Sequence, residues 1–398
     1  MAWPSTRPAL ALAALALAGV TGLAGRRAQE PPAFAPLPRQ VESPADNPST
    51  PEKVALGRLL FWDPILSGTQ DIACATCHHP EHGYADGRDL PIGAGGRGLG
   101  PSRMFPGGDS PLVRRNSPTI LNVAFNGIDR WGHVDPADAP MFWDSRTRGL
   151  EAQALEPIKS LEEMGGTGAA ASDGVAAAVA RVAAVRQYQQ LFRRAFGQPE
   201  AVSAVNLARA IAAFERSLVT PDTPFDRYLR GDTSAMTEVE VRGMDAFERH
   251  GCTLCHNGPM LSDYKLHVLG VSDNAKLGAA DPGAEQRFAF RTPGLRNLAY
   301  TAPYMHSGLK ADLASVVGFY KEVGGGGALL THFDRPRTVN GHLVLGSPVG
   351  RDALDPLLQH VTVNSELDVI VAFLGTLNGT FDRTVPARVP SGLRPGGR

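Results

Sequence analysis

Cys74-Ala75-Thr76-Cys77-His78 and Cys252-Thr253-Leu254-Cys255-His256 decide how this chain is read. Each is a C-x-x-C-H run, the pattern by which a protein holds a c-type haem. Two cysteines three positions apart reach the two vinyl groups of one porphyrin, and the histidine that follows ligates the iron. The chain has four cysteines, and the two motifs use all of them. A zinc ribbon would bring its C-x-x-C pairs within about 15–20 residues of one another. Here the pairs lie in different halves of a 398-residue chain, and a redox dithiol would not need a histidine after each. The sequence therefore predicts a mainly α fold of two cytochrome c-like domains, each with one covalently bound c-type haem.

Helical signals surround both motifs. Thr50 caps and Pro51 opens a helix whose apolar face is Ala55, Leu56, Leu59 and Leu60. Before the second motif, Thr237 and Glu240 form a capping box, with Val241, Met244 and Phe247 along one side of the helix that follows. Residues 365–377 close the second domain with helical spacing, and two further helices, about 172–196 and 203–218, bridge the units. Glycine-rich stretches at 93–108 and 324–327 read as loops; neither carries the Gly-Lys-Ser/Thr of a phosphate cradle.

The predicted organisation is a signal peptide over 1–24, a flexible lead-in over 25–48, an N-terminal domain over 49–219, a C-terminal domain over 220–385 and a disordered tail over 386–398. The signal reading rests on Arg7, the apolar residues 10–20 and the small residues before position 25. That apolar run is short for a bilayer, so no stable membrane span is expected; an uncleaved anchor is the alternative. Export agrees with c-type haem, which bacteria attach outside the cytoplasm, and makes the periplasm the expected address. With 39 basic and 40 acidic residues the charge is balanced, which gives no argument for a nucleic-acid partner.

Several blocks of this chain resemble the bacterial dihaem cytochrome c peroxidases and their MauG-type relatives, from about Leu56 to Leu377. They are Leu59-Leu60-Phe61-Trp62-Asp63-Pro64, Arg115-Asn116-Ser117-Pro118-Thr119, Phe142-Trp143-Asp144-Ser145-Arg146, Pro224-Phe225-Asp226-Arg227-Tyr228-Leu229, Arg291-Thr292-Pro293-Gly294-Leu295-Arg296-Asn297 and Pro303-Tyr304-Met305-His306-Ser307-Gly308. In that family the N-terminal haem is the peroxide site and the C-terminal haem stores and passes electrons. The resemblance implies His78 and His256 as the proximal ligands of those two haems.

It also implies a second ligand for the C-terminal iron. The peroxidases place a methionine there and MauG-type proteins a tyrosine, and counting along the helix after Pro303 reaches Tyr320. A phenolate is a hard anion that favours higher oxidation states, whereas a thioether favours reduced iron. An ordinary core tyrosine is the other reading of Tyr320. Glu163 matches the family's distal carboxylate, with Glu162 as the fallback, and Gln153 and Pro157 match the distal pocket. Trp143 matches the tryptophan between the haems, and Arg291 an arginine near their edges; as bland alternatives these are a core aromatic and an ion-pair partner. Asn116, Thr301 and Pro303 match a calcium site between the domains. His306 belongs to the signature without an assigned role.

Two departures stand out. The only histidine between Gly83 and Trp143 is His133, within an apparent insertion at 127–140 and not where the family's closing histidine falls. The expected result is an open N-terminal haem, with ligation by His133 as the alternative. MauG-type proteins carry a tryptophan two residues before the second motif, where this chain has His250. The implied function is a periplasmic dihaem peroxidase that reduces hydrogen peroxide at the N-terminal haem, with electrons relayed through the C-terminal haem from a small donor such as a monohaem cytochrome c or a cupredoxin. The alternatives are MauG-like oxidative modification of a protein or small-molecule substrate, and an electron carrier with both irons closed.

Overall fold

Among the described residues, eleven short helices and almost no sheet carry the fold. The computed structural model describes residues 1–2, 32–106, 112–165, 173–327, 337–339, 342–344, 346–363 and 365–397. The predicted signal peptide lies outside the described residues beyond its first two positions. Residues Pro32–Arg398 form one unit. In it α1 (Pro51–Trp62) leads to α2 (Cys74–Cys77), then α3 (Leu150–Gln153), α4 (Glu156–Lys159), α5 (Gly174–Ala184), α6 (Arg186–Phe196) and α7 (Ala204–Arg216). The second half holds α8 (Pro224–Leu229), α9 (Glu238–Arg249), α10 (Leu313–Gly327) and α11 (Leu367–Gly375). Among the described residues, strands occur only as three two-stranded antiparallel ribbons.

Local chemistry places the helices that flank the motifs. Thr50 Oγ1 accepts from the Lys53 amide at 3.3 Å, with Pro51 in the first turn. At the start of α9, Thr237 Oγ1 accepts from the Glu240 amide and Glu240 Oε2 accepts from the Thr237 amide, the reciprocal capping pair. Two main cores form. One gathers Leu56, Leu60, Ile158, Val182, Tyr188 and Leu207; the other gathers Phe225, Phe247, Val323, Ile370 and Phe373.

Four expectations need correction. The helix expected over 172–196 breaks at Val185, which is extended. Val182 and Tyr188 both enter the N-terminal core, and a continuous helix would point residues six apart to different faces. The glycine stretch 324–327 is the last turn of α10. A Cβ on Gly324 would lie 2.3 Å from the Val361 carbonyl oxygen, so a side chain there would push the helix off its neighbour.

The described part of the lead-in is not a flexible strand. Leu37 is fully buried, and the Phe34 ring meets Phe225, Phe247 and Phe373 with centroids 5.7, 6.3 and 5.8 Å away. Burying such side chains at about 25 cal/mol per Å² offsets the ordering of the backbone. Nor is the tail disordered. Ser391 Oγ donates to Asp63 Oδ1 at 2.6 Å, the Gly396 amide donates to Trp62 O at 2.8 Å, and Gly396 O accepts from Thr76 Oγ1 at 2.6 Å. The end of the chain thus straps the first motif, adding Ser391 to the partners of a fully buried Asp63 that already accepts from Tyr188 and Ile65.

Candidate functional site

A cavity of about 750 Å³ runs through the molecule, and both C-x-x-C-H motifs line it. The first motif forms α2, and the second begins with a single turn over Cys252–Leu254. Cys74, Cys77, Cys252 and Cys255 are unpaired thiols. His78 Nδ1 lies 3.1 Å from Tyr84 O and His256 Nδ1 lies 2.9 Å from Leu261 O. A carbonyl oxygen only accepts, so Nδ1 carries the proton and Nε2 keeps its lone pair in both rings. Burial holds both imidazoles below the usual range, in the neutral form. A backbone bond on one nitrogen that frees the other is how metal-bound histidines are oriented. Two such rings, each beside two free thiols in one shared cavity, fit covalent haem at both motifs.

The two ends of the cavity differ. Beside the first motif, Leu161–Gly165 makes one π-helical turn, a form that recurs at functional sites. In it Leu161 and Glu162 are exposed, Glu163 is partly buried, and both glutamates border the cavity. Burial raises the Glu163 carboxyl above the usual range, against the opposing charge of Arg146. The turn is held from outside by the 93–106 loop: the Ala94 amide donates to Glu163 O at 2.9 Å. A Cβ on Gly93 would sit 1.8 Å from Glu162 O, so glycine is required there. Gln153 ends α3, Pro157 lies in α4, and both face the same cavity.

Beside the second motif stands Tyr320 from α10, whose side chain borders the cavity near Cys255 and Cys252. Its hydroxyl has no hydrogen-bond partner among the described residues, and burial raises its pKa. His267 is also here, with Nδ1 2.6 Å from Asp355 Oδ2 and Nε2 3.1 Å from Asp263 Oδ2. Although burial opposes its charge, Asp263, the neighbouring Cys255 sulfur and Asp355 raise it to about 11. Both of its nitrogens are therefore spoken for.

Trp143 lies in the cavity wall shared by the two halves. Its Nε1 donates to Asn116 O at 2.9 Å. Arg291 grips the same segment from the C-terminal half: its amide donates to Trp143 O at 2.7 Å and its Nε to Phe142 O at 3.0 Å. Phe142 sits at φ +66°, a conformation costly for an aromatic residue and held by these contacts. Asn116 Nδ2 donates to Arg88 O at 2.7 Å, which leaves its side-chain oxygen for another group; Thr301 and Pro303 line the cavity with it.

Other sequence candidates fall elsewhere. The His133 side chain is 82% exposed, 3.2 Å from Asp129, and does not border the cavity. His250 ends α9, bonded to Glu366 at 3.0 Å. His306 borders the cavity, stacked on Phe290 at 3.7 Å and facing Asp273. Gly93, His267 and Glu215, which also lines the cavity, were not singled out by the sequence. Only for Gly93 was there a signal, the glycine-rich run itself.

Known proteins agree with this arrangement. Residues 51–234 match the model of the di-haem cytochrome c peroxidase family. The chain is 38% identical over 288 residues to the methylamine utilization protein MauG of Methylorubrum extorquens, covering 71% of this chain and 72% of that one. It is 32% identical over 379 residues to the cytochrome c551 peroxidase of Pseudomonas aeruginosa, covering 91% and 90%. A crystal structure of a MauG-like protein associated with microbial copper homeostasis superposes with a TM-score of 0.66 at 29% identity, over 86% of this chain and 95% of that one. The fold is shared also with the diheme peroxidase BthA of Burkholderia thailandensis, at a TM-score of 0.57 and 23% identity over 90% and 94%. The chain therefore belongs to the di-haem cytochrome c peroxidase family, in which relatives named MauG and relatives named peroxidase both fall.

Proposed function

We propose that this protein is a periplasmic dihaem peroxidase that reduces hydrogen peroxide in the N-terminal pocket, with electrons entering through the C-terminal one. The observation that carries the reading is the asymmetry of the cavity: Glu163 by the first motif, Tyr320 by the second, with His133 away from the lining. The bound haems supply the iron redox chemistry. The chain holds them through Cys74, Cys77 and His78 in a domain spanning 49–219, and through Cys252, Cys255 and His256 in one spanning 220–385. The division of the two cores on either side of Thr220 supports that boundary.

Burial raises the Glu163 carboxyl above the usual range and so favours its protonated form. Cleavage of a peroxide O–O bond needs a proton moved from the inner to the outer oxygen, and a carboxyl group within reach can do both transfers. Gln153 and Pro157 shape that pocket. Trp143, fixed by Asn116 and Arg291, offers an indole between the two halves. Tyr320 would supply the second ligand of the C-terminal iron; burial raises its pKa, and the charge of a bound metal would favour loss of its proton. Asn116 Oδ1 with oxygens of Thr301 and Pro303 offers hard ligands for a calcium ion. A monohaem cytochrome c or cupredoxin is the proposed donor. The periplasmic address rests on the apolar residues 10–20 and on c-type haem; among the described residues no helix is long and apolar enough to cross a membrane.

Tyr320 also favours the MauG-like reading, oxidation of a protein or small-molecule substrate. Low-temperature EPR of the ferric protein before and after one equivalent of peroxide tests the proposal. A high-spin signal beside a low-spin one, both bleached by peroxide, is expected. Two low-spin signals untouched by peroxide would instead mark a carrier or a pocket closed at rest.

A further inference from the structure

Glu215, near the end of α7, is a further carboxyl lining the cavity. It is 5% exposed, and its Oε2 has no hydrogen-bond partner among the described residues. The cation beside it does not answer it: Arg216 Nη2 donates to Glu151 Oε1 at 2.8 Å. Burial most of all, and then the charge of Glu215, raise the Cys74 thiol, and both residues line the same cavity.

We propose that Glu215 is a redox-linked proton site of the N-terminal haem, taking up one proton from solvent as that iron gains one electron and releasing it on reoxidation. This rests on the reading of the first motif as a haem site. The electron comes from the donor of the peroxidase cycle, and no bond other than the carboxyl O–H forms or breaks. Ferric haem carries one more positive charge than ferrous haem and favours a neighbouring carboxylate; ferrous haem removes that attraction in a poorly solvated site. By reciprocity, the ionised Glu215 favours ferric iron.

The protein side already leans towards the acid form. Burial pushes Glu215 up to about 8, against Arg216 and with Glu151 adding to the rise. The charged groups that act on it are Arg216 on α7 and Glu151 from α3; Lys53 from α1 acts on that Arg216–Glu151 pair, and Glu163 acts with Glu215 on Cys74. Glu163 acts on the peroxide; Glu215 compensates charge at the porphyrin rim.

The test is potentiometry of the holoprotein from pH 6 to 9, following each haem optically, in the wild type and in Glu215→Gln. The N-terminal potential should fall with rising pH in the wild type and flatten in the variant, with the C-terminal potential unmoved. An unchanged slope in Glu215→Gln, or a slope lost in Glu163→Gln instead, overturns the proposal. Should the variant fail to fold, redox-difference infrared spectra of the wild type decide. A protonated-carboxyl band appearing on reduction of the N-terminal haem and shifted in Glu215→Asp supports it; no such band overturns it. Protein without two haem spectra would sink the dihaem reading as well, whereas loaded protein with an unchanged slope removes Glu215 alone.

Discussion

In the N-terminal half α1 crosses α7 at Gly57; in the C-terminal half α9 crosses α11 at Gly243. A Cβ on Gly57 would lie 1.8 Å from Ala210 O, and one on Gly243 1.9 Å from Val369 O. Four residues on from each glycine comes a phenylalanine, which meets another four residues on from the opposing contact. Phe61 and Phe214 have centroids 5.1 Å apart, Phe247 and Phe373 5.4 Å apart. The same backbone-to-backbone crossing thus frames each motif, although few residues repeat between the halves. The halves part company at the far side of each motif, where one offers Glu163 on a π-helical turn and the other Tyr320 on α10. Shared crossings place the two motifs alike; on the proposed function, a single side chain from a non-repeated segment sets the two pockets apart.

That comparison breaks most visibly at the motifs. Replacing Cys74 and Cys77 by serine, or Cys252 and Cys255, should each remove one of the two covalent haems, as a pyridine haemochromogen assay would read. Only the first pair should abolish the reaction with peroxide. If the second pair did so instead, the roles of the halves would be reversed.

Next come the residues that differ. Glu163→Gln should lower kcat/KM for peroxide by about 10²–10⁴ while leaving the C-terminal potential where it was. Tyr320→Met should do the converse, raising that potential with little effect on the first encounter with peroxide. A C-terminal potential that stays put in Tyr320→Met would make Tyr320 a core residue.

The shared crossings predict equal penalties. Gly57→Ala and Gly243→Ala should each cost about 3 kcal/mol in denaturant unfolding, because backbone atoms must separate. Each loss should register first at the haem of its own half. Ser391→Ala is smaller, about 1.5 kcal/mol for a hydrogen bond to a buried carboxylate, and should register at the N-terminal haem although the residue lies near the C-terminus.

The pH dependence is the finest distinction. Burial raises Asp86 to about 7 and Glu215 to about 8, so the folded chain keeps protons that the unfolded chain has lost. Their stabilising share is full below the ordinary carboxyl values near 3.8 and 4.5 and is lost as pH rises through about 7 and 8. Urea titrations at pH 5 and 9 should show the decline, reduced in Glu215→Gln.

Much of this molecule could be read from its residues. The paired motifs, the cap at Thr50 and the box at Thr237 are local signals, complete within a few positions, and the chain obeys them. Counting along the helix after Pro303 reaches Tyr320, and the structure places that residue on the cavity wall. The glycines at the crossings look like ordinary helix interruptions until the opposing carbonyl is seen. Proline- and glycine-rich ends suggested loose termini, yet Phe34 and Ser391 are pinned by partners far along the chain.

The sequence by itself determined two C-x-x-C-H motifs, one in each half, since such a motif is written in contiguous residues. Only the tertiary structure decided that Arg291 holds Trp143, that the tail straps the first motif, and that Glu215 faces the cavity without a partner. Those facts depend on contacts across tens to hundreds of residues, and on burial, which turns an ordinary glutamate into an acid that keeps its proton near neutral pH.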